Sequence, residues 1–375
     1  MKKNILIFIV SVCICFFAAA DEKPKKPSYP DNDIRLLRSA RETFRAGSCG
    51  EALKLAVQAE IERKKQVAWE IYTLQNSFKS SEVKKAADVL SAIIPVLEKR
   101  QEYDSLEIIR RYESKLSPSY FSDSASNLIE YIRKRNAFPE ADWIIGNVYK
   151  YEGEYNLAKE YLLSAWRNAP LLDVSDEQYD ILYSLADIAY LDNDKENYEA
   201  DLLLILSDDR YFRNVDLNDA MMLTIRNQKA GSMEKFFNLF RSDDYRSISA
   251  YFKLADFYAA DNKDKALKAS ALGVLTGFTK MYTAVKQRDP EFEYTGVSSL
   301  FEEVSRYTGI LDWAGENKIW SGFISFAQKV YEDGNTEFSK DLYTALAGYA
   351  PDDYCKKEAA RALENFTNST TQHRM

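Results

Sequence analysis

The sequence predicts an all-α chain organised as an array of antiparallel helix pairs behind an N-terminal export segment. Three observations predict the fold. Turn formers are scarce, with 13 Gly and 9 Pro in 375 residues, and no glycine stands between Gly50 and Gly146. All-β chains need many tight turns and hence more of both. Ala, Leu, Glu, Lys and Tyr fill the sequence instead, a composition that on balance favours helix. Finally, Pro139–Pro170 carries a pattern of small and large residues suited to two closely packed helices, and four weaker copies lie elsewhere in the chain.

The N-terminal element comes first. Met1–Ala20 has the layout of a secretory signal peptide: Lys2 and Lys3, an almost wholly apolar Ile5–Phe17, then Ala18-Ala19-Ala20 before Asp21. The apolar run is shorter than a membrane span needs, so no membrane span is expected once the signal is cleaved. A lipoprotein acylated at Cys13 or Cys15 is the alternative, although Val12 and Ile14 precede those cysteines where lipobox sequences have small residues. The short Lys-Lys signal has a bacterial look, which points to passage across the inner membrane and a periplasmic address. Cleavage would remove two of the 50 basic residues and none of the 58 acids, moving the formal charge from −8 to −10. That balance argues against nucleic acid as a partner and against docking on anionic lipid. Cys49 and Cys355 would remain, expected as two buried free thiols.

Residues 21–33 follow, with Pro24, Pro27 and Pro30 among three lysines, a solvated linker that cannot be helical across those prolines. From Ile34 to Phe366 the helical period continues without another linker composition. Hydrophobic residues make up 46% of the chain and charged residues 29%, enough apolar side chains for a core beneath an ordinary soluble surface. Pro139 marks a helix start, Pro290 a loop, and Pro170 and Pro351 the ends of helix pairs. Pro95 falls inside an otherwise helical Glu82–Gln101, where a kink is expected.

The segment 139–170 justifies the pair motif residue by residue. A large apolar residue precedes a small one at Ile145-Gly146, and Tyr149 follows a turn later. Gly153 supplies the turn and Tyr155 opens the second helix, which runs small, large, small at Ala158, Leu162 and Ala165 before Pro170. Small residues let the helices approach while large ones fill the seam around them. This pattern resembles the tetratricopeptide repeat (TPR), a 34-residue helix pair. One departure is Asp142 where that family often has tryptophan, with Trp143 one step later. The resemblance implies a right-handed superhelical array, a TPR-like α-solenoid, because one pair cannot bury its apolar face alone.

Weaker copies extend it. Leu36–Lys64 has Ala40, Gly47, Ala52 and Ala59 at the small positions. Tyr179–Ser207 has Leu182, Leu185, Ala186 and Leu202, with Tyr198 where a small residue is usual. Ala250–Gly273 has Tyr251, Leu254, Ala255 and Tyr258 and then slips register, while Trp320–Pro351 has Phe323, Phe326, Ala327, Gly334 and Tyr343. Segments 83–112, 122–135, 217–241 and 298–318 are amphipathic at the helical period without the family pattern. Asp352–Phe366 fits a capping helix with Tyr354, Ala360, Leu363 and Phe366 turned inward and Lys356, Lys357 and Glu358 outward, and residues 367–375 form a polar, frayed tail.

No catalytic or metal site is expected, and no cofactor. The single histidine, His373, stands in the tail, so His-assisted Ser or Cys nucleophiles lack their base and a zinc site lacks ligands. No Gly-rich phosphate loop is present. Asp192-Asn193-Asp194 would begin a calcium loop only with Gly at Asn197 and Glu at Leu203. That triplet and Asp261-Asn262 fall between paired helices, where Asp and Asn suit turns and caps. A glycosidase-like acid pair needs two carboxylates, and nothing marks one pair out among the 58 acids. The sequons at Asn365 and Asn368 are tail composition.

What the resemblance implies for function is binding. In a TPR array the first helix of each pair lines a concave face. The corresponding positions are Trp143, Asn147, Lys150 and Tyr151, then Tyr183, Asp187 and Tyr190, then Phe252 and Asp256, then Gln328 and Tyr331. Aromatic groups among scattered polar ones suit a protein or peptide partner, although the same aromatics could pack between adjacent repeats. Family members that clamp a terminal carboxylate place Lys and Asn where Trp143 and Asn147 stand, so that clamp is not expected. The sequence thus points to an exported scaffold or adaptor, with an accessory ligand-binding subunit of an envelope transport system as the alternative.

Overall fold

A computed structural model of the chain describes residues 24–27, 31–76, 95, 99, 136–239 and 245–372. Among them are fifteen α-helices, two short 3-10 turns and no strand. The chain divides into two compact units, one up to Ser184 and one from Leu185 onward. The signal peptide, Cys13 and Cys15, most of segments 83–112 and 122–135, and His373 lie outside the described residues.

The first unit is built from α1 (Asn32–Arg45), α2 (Cys49–Asn76), α3 (Pro139–Glu152), α4 (Tyr155–Arg167) and the start of α5 (Glu177–Leu191). α1 pairs with α2 and α3 with α4, and α2 packs on α3 across the intervening chain. The expected small residues lie in the seams: Ala40, Ala52, Ala59, Ala158 and Ala165 are fully buried beside Leu162. At Gly146 a Cβ would fall 2.7 Å from Leu162 Cγ and 3.2 Å from the Ala158 carbonyl oxygen. Only glycine permits that approach of α3 to α4. Where α1 begins, buried Asp33 accepts from Arg63 of α2, whose guanidinium lies 4.0 Å over the Phe138 ring just before α3.

Each hairpin closes with the same local chemistry. Gly47 and Gly153 take positive φ, and the residue after each sends its N–H back to a carbonyl five residues earlier, Ser48 to Thr43 and Glu154 to Tyr149. The left-handed residue lets the chain reverse while covering the helix's last carbonyls. Two further turns repeat it. Asn193 precedes Asp194, which bonds to Ala189, and Gly334 precedes Asn335, which bonds to Val330. The first of these joins α5 to α6 (Lys195–Ser207), where the Asp194 carboxylate caps α6 by accepting from Asn197 N. The acidic triplet is a helix turn with a cap.

The second unit departs from hairpin regularity. After α6 come α7 (Val215–Arg226), α8 (Ser232–Phe237) and α9 (Ile248–Tyr258). They are followed by α10 (Lys263–Arg288), α11 (Val297–Val304), α12 (Thr308–Glu316), α13 (Ile319–Glu332), α14 (Thr336–Tyr349) and α15 (Asp353–Gln372). Asn262 caps α10 by accepting from Lys265 N. α10 has 26 residues where α4 and α6 have 13 each, and every residue from Ala269 to Thr279 is buried. A helix buried on all sides is a bundle centre, not one member of an open pair. α7, α9, α11, α12 and α13 all touch it. Its buried hydroxyls at Thr276 and Thr279 donate to the Leu272 and Leu275 carbonyls four residues back. Phe236, Phe237, Phe278, Phe301, Phe323, Phe326 and Phe338 interlock around it, with Phe237 and Phe278 centroids 4.6 Å apart. α9 and α10 pair with each other, and the slip of register after Tyr258 falls where α10 begins its run past the length of a repeat helix.

The C-terminal helix also differs from expectation. α15 packs on α14 and α13 but turns Cys355 and Ala359 inward, while Tyr354 and Ala360 are exposed. Small side chains allow the closer contact, and the Cys355 thiol lies against the Trp320 carbonyl. The inward face thus differs from the expected one at the start of α15, while Phe366 packs inward against Tyr331 and Tyr343 as expected. Helix also continues through Gln372, into the segment expected to fray.

Candidate functional site

The first unit holds a small cleft where three helices meet. α1 contributes Arg41, Phe44 and Arg45, α3 contributes Trp143, and the first turn of α5 contributes Glu177 and Asp180. Spacings of three and four residues put the α1 trio on one helix face. The same periodicity aligns Trp143 with Asn147, Lys150 and Tyr151 on α3. The cleft has a volume of about 50 Å3. One wall is an ion pair, Arg41 Nη2 to Glu177 Oε2 at 2.7 Å, with about a quarter of each side chain exposed. The floor is aromatic. The Phe44 ring meets Trp143 edge-on at 6.0 Å and Tyr151 at 5.9 Å. Arg45 is exposed and forms no ion pair among the described residues.

The sequence-derived binding residues divide into three kinds. Trp143 and Tyr151 belong to this cleft and its rim, and Tyr151 is 72% exposed. Lys150 and Tyr183 are half-buried on α3 and α5. Asn147 is buried, and its amide donates to the Trp143 carbonyl while its oxygen accepts from Ser184 Oγ at 3.0 Å. Asn147 therefore joins α3 to α5, and its place on a partner-facing surface is corrected.

In the second unit, Asp187 pairs with Lys253 at 2.7 Å and Asp256 lies 3.8 Å from Lys329. Tyr190 is exposed, with its ring 5.5 Å from that of Tyr198. Burial pushes the Tyr198 hydroxyl up to about 12, with Asp187, Tyr190 and Asp256 adding to the shift. Phe252 is a second correction. Its ring fills the space over Gly273 of α10 and Gly322 of α13, so the half-buried side chain packs between helices. Tyr331 is covered in part by Phe366 of α15, with centroids 4.9 Å apart, and Gln328 bonds along its own helix to Glu332. Both side chains nevertheless remain exposed.

Arg41, Phe44, Arg45 and Glu177 were not among the residues expected to bind. The repeat pattern marks seams by their small residues, whereas these four are large or charged and come from neighbouring segments. The R-x-x-F-R spacing of Arg41, Phe44 and Arg45 was the available signal. No grouping of His, Cys, Asp and Glu able to hold a metal ion occurs among the described residues, and no helix there is long and apolar enough to cross a membrane.

The chain is similar to an uncharacterized protein of Treponema pallidum (strain Nichols), 29% identical over 321 residues that cover 84% of this chain and 85% of the relative. It is also similar to an uncharacterized protein of Borreliella burgdorferi, 25% identical over 269 residues, 64% of this chain and 81% of the relative. No family model and no solved structure matches.

Proposed function

We propose that this chain is an exported helical scaffold or adaptor that binds a protein or peptide in the cell envelope, with the α1–α3–α5 cleft as a contact point. The observation that carries the reading is the Phe44–Trp143–Tyr151 cluster, a half-buried aromatic group with an exposed tyrosine at its edge and Arg41 and Arg45 alongside. Aromatic and arginine side chains on a rigid frame are the residues that dominate binding energy at protein interfaces. The frame is helical, with Trp143 and Tyr151 fixed two turns apart on one helix. The signal-like N-terminus supports export and a periplasmic address. The formal charge of −8 favours a protein partner over nucleic acid.

The transport-subunit reading stands second. A cleft of about 50 Å3 is far below the roughly 300–1,000 Å3 typical of small-molecule sites. The test is photo-crosslinking from position 151 of the full chain, expressed in the organism that encodes it. A discrete crosslinked protein that disappears with Trp143→Ala or Phe44→Ala is expected. Absence of any crosslinked protein, or a crosslink indifferent to both substitutions, would sink the reading.

A further inference from the structure

Two nitrogens at this cleft are shut off from solvent with no hydrogen-bond partner, Nε of Arg41 and Nε1 of Trp143. An unmet buried donor is costly to the fold, and native folds pair nearly all such atoms. Both side chains line the same space, and the far end of the Arg41 guanidinium is already held by Glu177. Arg45, from the next turn of α1, adds a cation without an ion pair among the described residues. Two donors and a positive charge beside aromatic surface call for an anionic oxygen acceptor.

We propose that the cleft receives a carboxylate carried by the partner, with the Arg41 and Trp143 side chains turning toward it so that Nε and Nε1 donate and Arg45 offsets its charge. The inference rests on the partner-binding reading above. Size supports a carboxylate: about 50 Å3 suits a group of a few heavy atoms, given the roughly 10–15 Å3 of such space that one water needs. Glu177 and Asp180 also line the cleft, and their charge disfavours a free small anion. The acid therefore arrives on a chain whose remaining contacts, to Phe44 and Tyr151, supply the affinity. These donors differ from the Lys and Asn of the repeat family's carboxylate clamp, since Trp143 stands in the lysine's place and Asn147 is committed to Ser184.

The test follows the indole N–H resonances of the 15N-labelled full chain, with Trp143 assigned by its loss in Trp143→Phe. The probes are a blocked glutamate peptide and a neutral peptide with a free C-terminus. Acetamide, a blocked glutamine peptide and sodium chloride at equal ionic strength are the controls. The Trp143 signal is expected to shift and saturate with a carboxylate probe and to stay still with the controls. Arg45→Gln, an exposed change whose unaltered remaining spectrum reports an intact fold, is expected to weaken binding about tenfold. Response to the blocked glutamate peptide alone identifies an acidic side chain, and response to the free terminus alone identifies a chain end. A Trp143 signal that ignores every carboxylate, or moves equally with acetamide, overturns the proposal. Should the crosslink from position 151 survive Arg45→Gln while the signal stays still, the carboxylate fails and partner binding stands. Should carboxylates titrate while no protein crosslinks, partner binding fails and the carboxylate site stands.

Discussion

The ring of Phe252 on α9 lies directly against the backbone of Gly322 on α13, where an added Cβ would overlap Cζ, Cε1 and Cε2 of the ring. On its other side the same ring meets Gly273 of α10, where a Cβ would fall 2.8 Å from Cε1. Gly322→Ala should therefore destabilise the protein by about 1–3 kcal/mol, the usual cost of overpacking a filled core. Phe252→Leu alone should also destabilise, through lost volume. Combined, the two changes should cost less than the sum of the singles, because the smaller side chain makes room for the methyl. Urea melts of the four proteins measure that coupling, and strict additivity would show that the ring is not what the glycine accommodates.

Asn335 has a role of comparable weight at the end of α7. It is 2% exposed, its amide donates to the carbonyls of Ile225 at 2.6 Å and Asn227 at 3.2 Å, and its oxygen accepts from Phe338 N to cap α14. Asn335→Ala removes a helix cap, worth about 0.5–2 kcal/mol, and strands buried carbonyls as well. Asn335→Asp keeps the cap acceptor but brings a carboxylate against those carbonyls. Aspartate should be the worse of the two at neutral pH and should recover on acidification. A melting temperature for Asp at or above that for Ala would reject this account.

The two thiols should react on different schedules. Cys355 is buried, and burial, with Asp352 adding to it, pushes its thiol up to about 12. Cys49 at the start of α2 is half-buried rather than buried as the sequence led one to expect. The thiolate is the reactive form, so a thiol reagent at pH 8 should modify Cys49 in the folded protein and Cys355 only as α15 opens or the protein unfolds. Mass spectrometry of the labelled peptides over time decides the order, and equal rates in the folded protein would contradict it.

What was legible in the sequence is the chemistry that acts locally. Gly47, Gly153, Gly334 and the Asp192–Asp194 triplet marked four turns because a left-handed residue and a cap leave a signature within a few positions. The alanines of the seams were legible because helical period and size suffice to place them. Longer-range consequences were not. Gly273 and Gly277 carry no sign that α10 is enclosed on all sides, since a small residue facing one neighbour looks the same as one facing two. Phe252 was assigned to a lining position because periodicity gives a helix face without saying what covers it. At the start of α15 the expected phase failed because a tyrosine looks a better anchor than Cys355, whereas close packing selects the smaller side chain. As for the cleft, Trp143 was visible, but α1 and α3 are separated by a long stretch of chain, and nothing in the repeat pattern announces that Phe44 and Arg41 will meet it.

Glu140 sets a pH dependence on the first unit. It occupies the first turn of α3, is 4% exposed, and accepts from Asp173 N at 2.9 Å. Burial raises its carboxyl above the ordinary value of 4.5, and the nearby charges of Asp173 and Glu177 push the same way, against two backbone hydrogen bonds that pull it down. The folded state thus holds this proton more tightly than the unfolded chain does. The contribution to stability is complete below about 4.5 and is lost as pH rises through the raised folded value. At neutral pH the ionised carboxylate is therefore a cost to the fold, while its oxygen still serves Asp173. Glu140→Gln keeps an acceptor in that place and removes the charge. The variant should be more stable than the parent at pH 7, and its advantage should shrink toward pH 4.5, where the parent's own carboxyl is protonated. Melting curves of both proteins at intervals between those pH values give the comparison. A variant that is less stable at pH 7, or whose difference from the parent does not change with pH, would mean that the hydrogen bond from Asp173 needs the full charge and that burial is not the governing effect at this position.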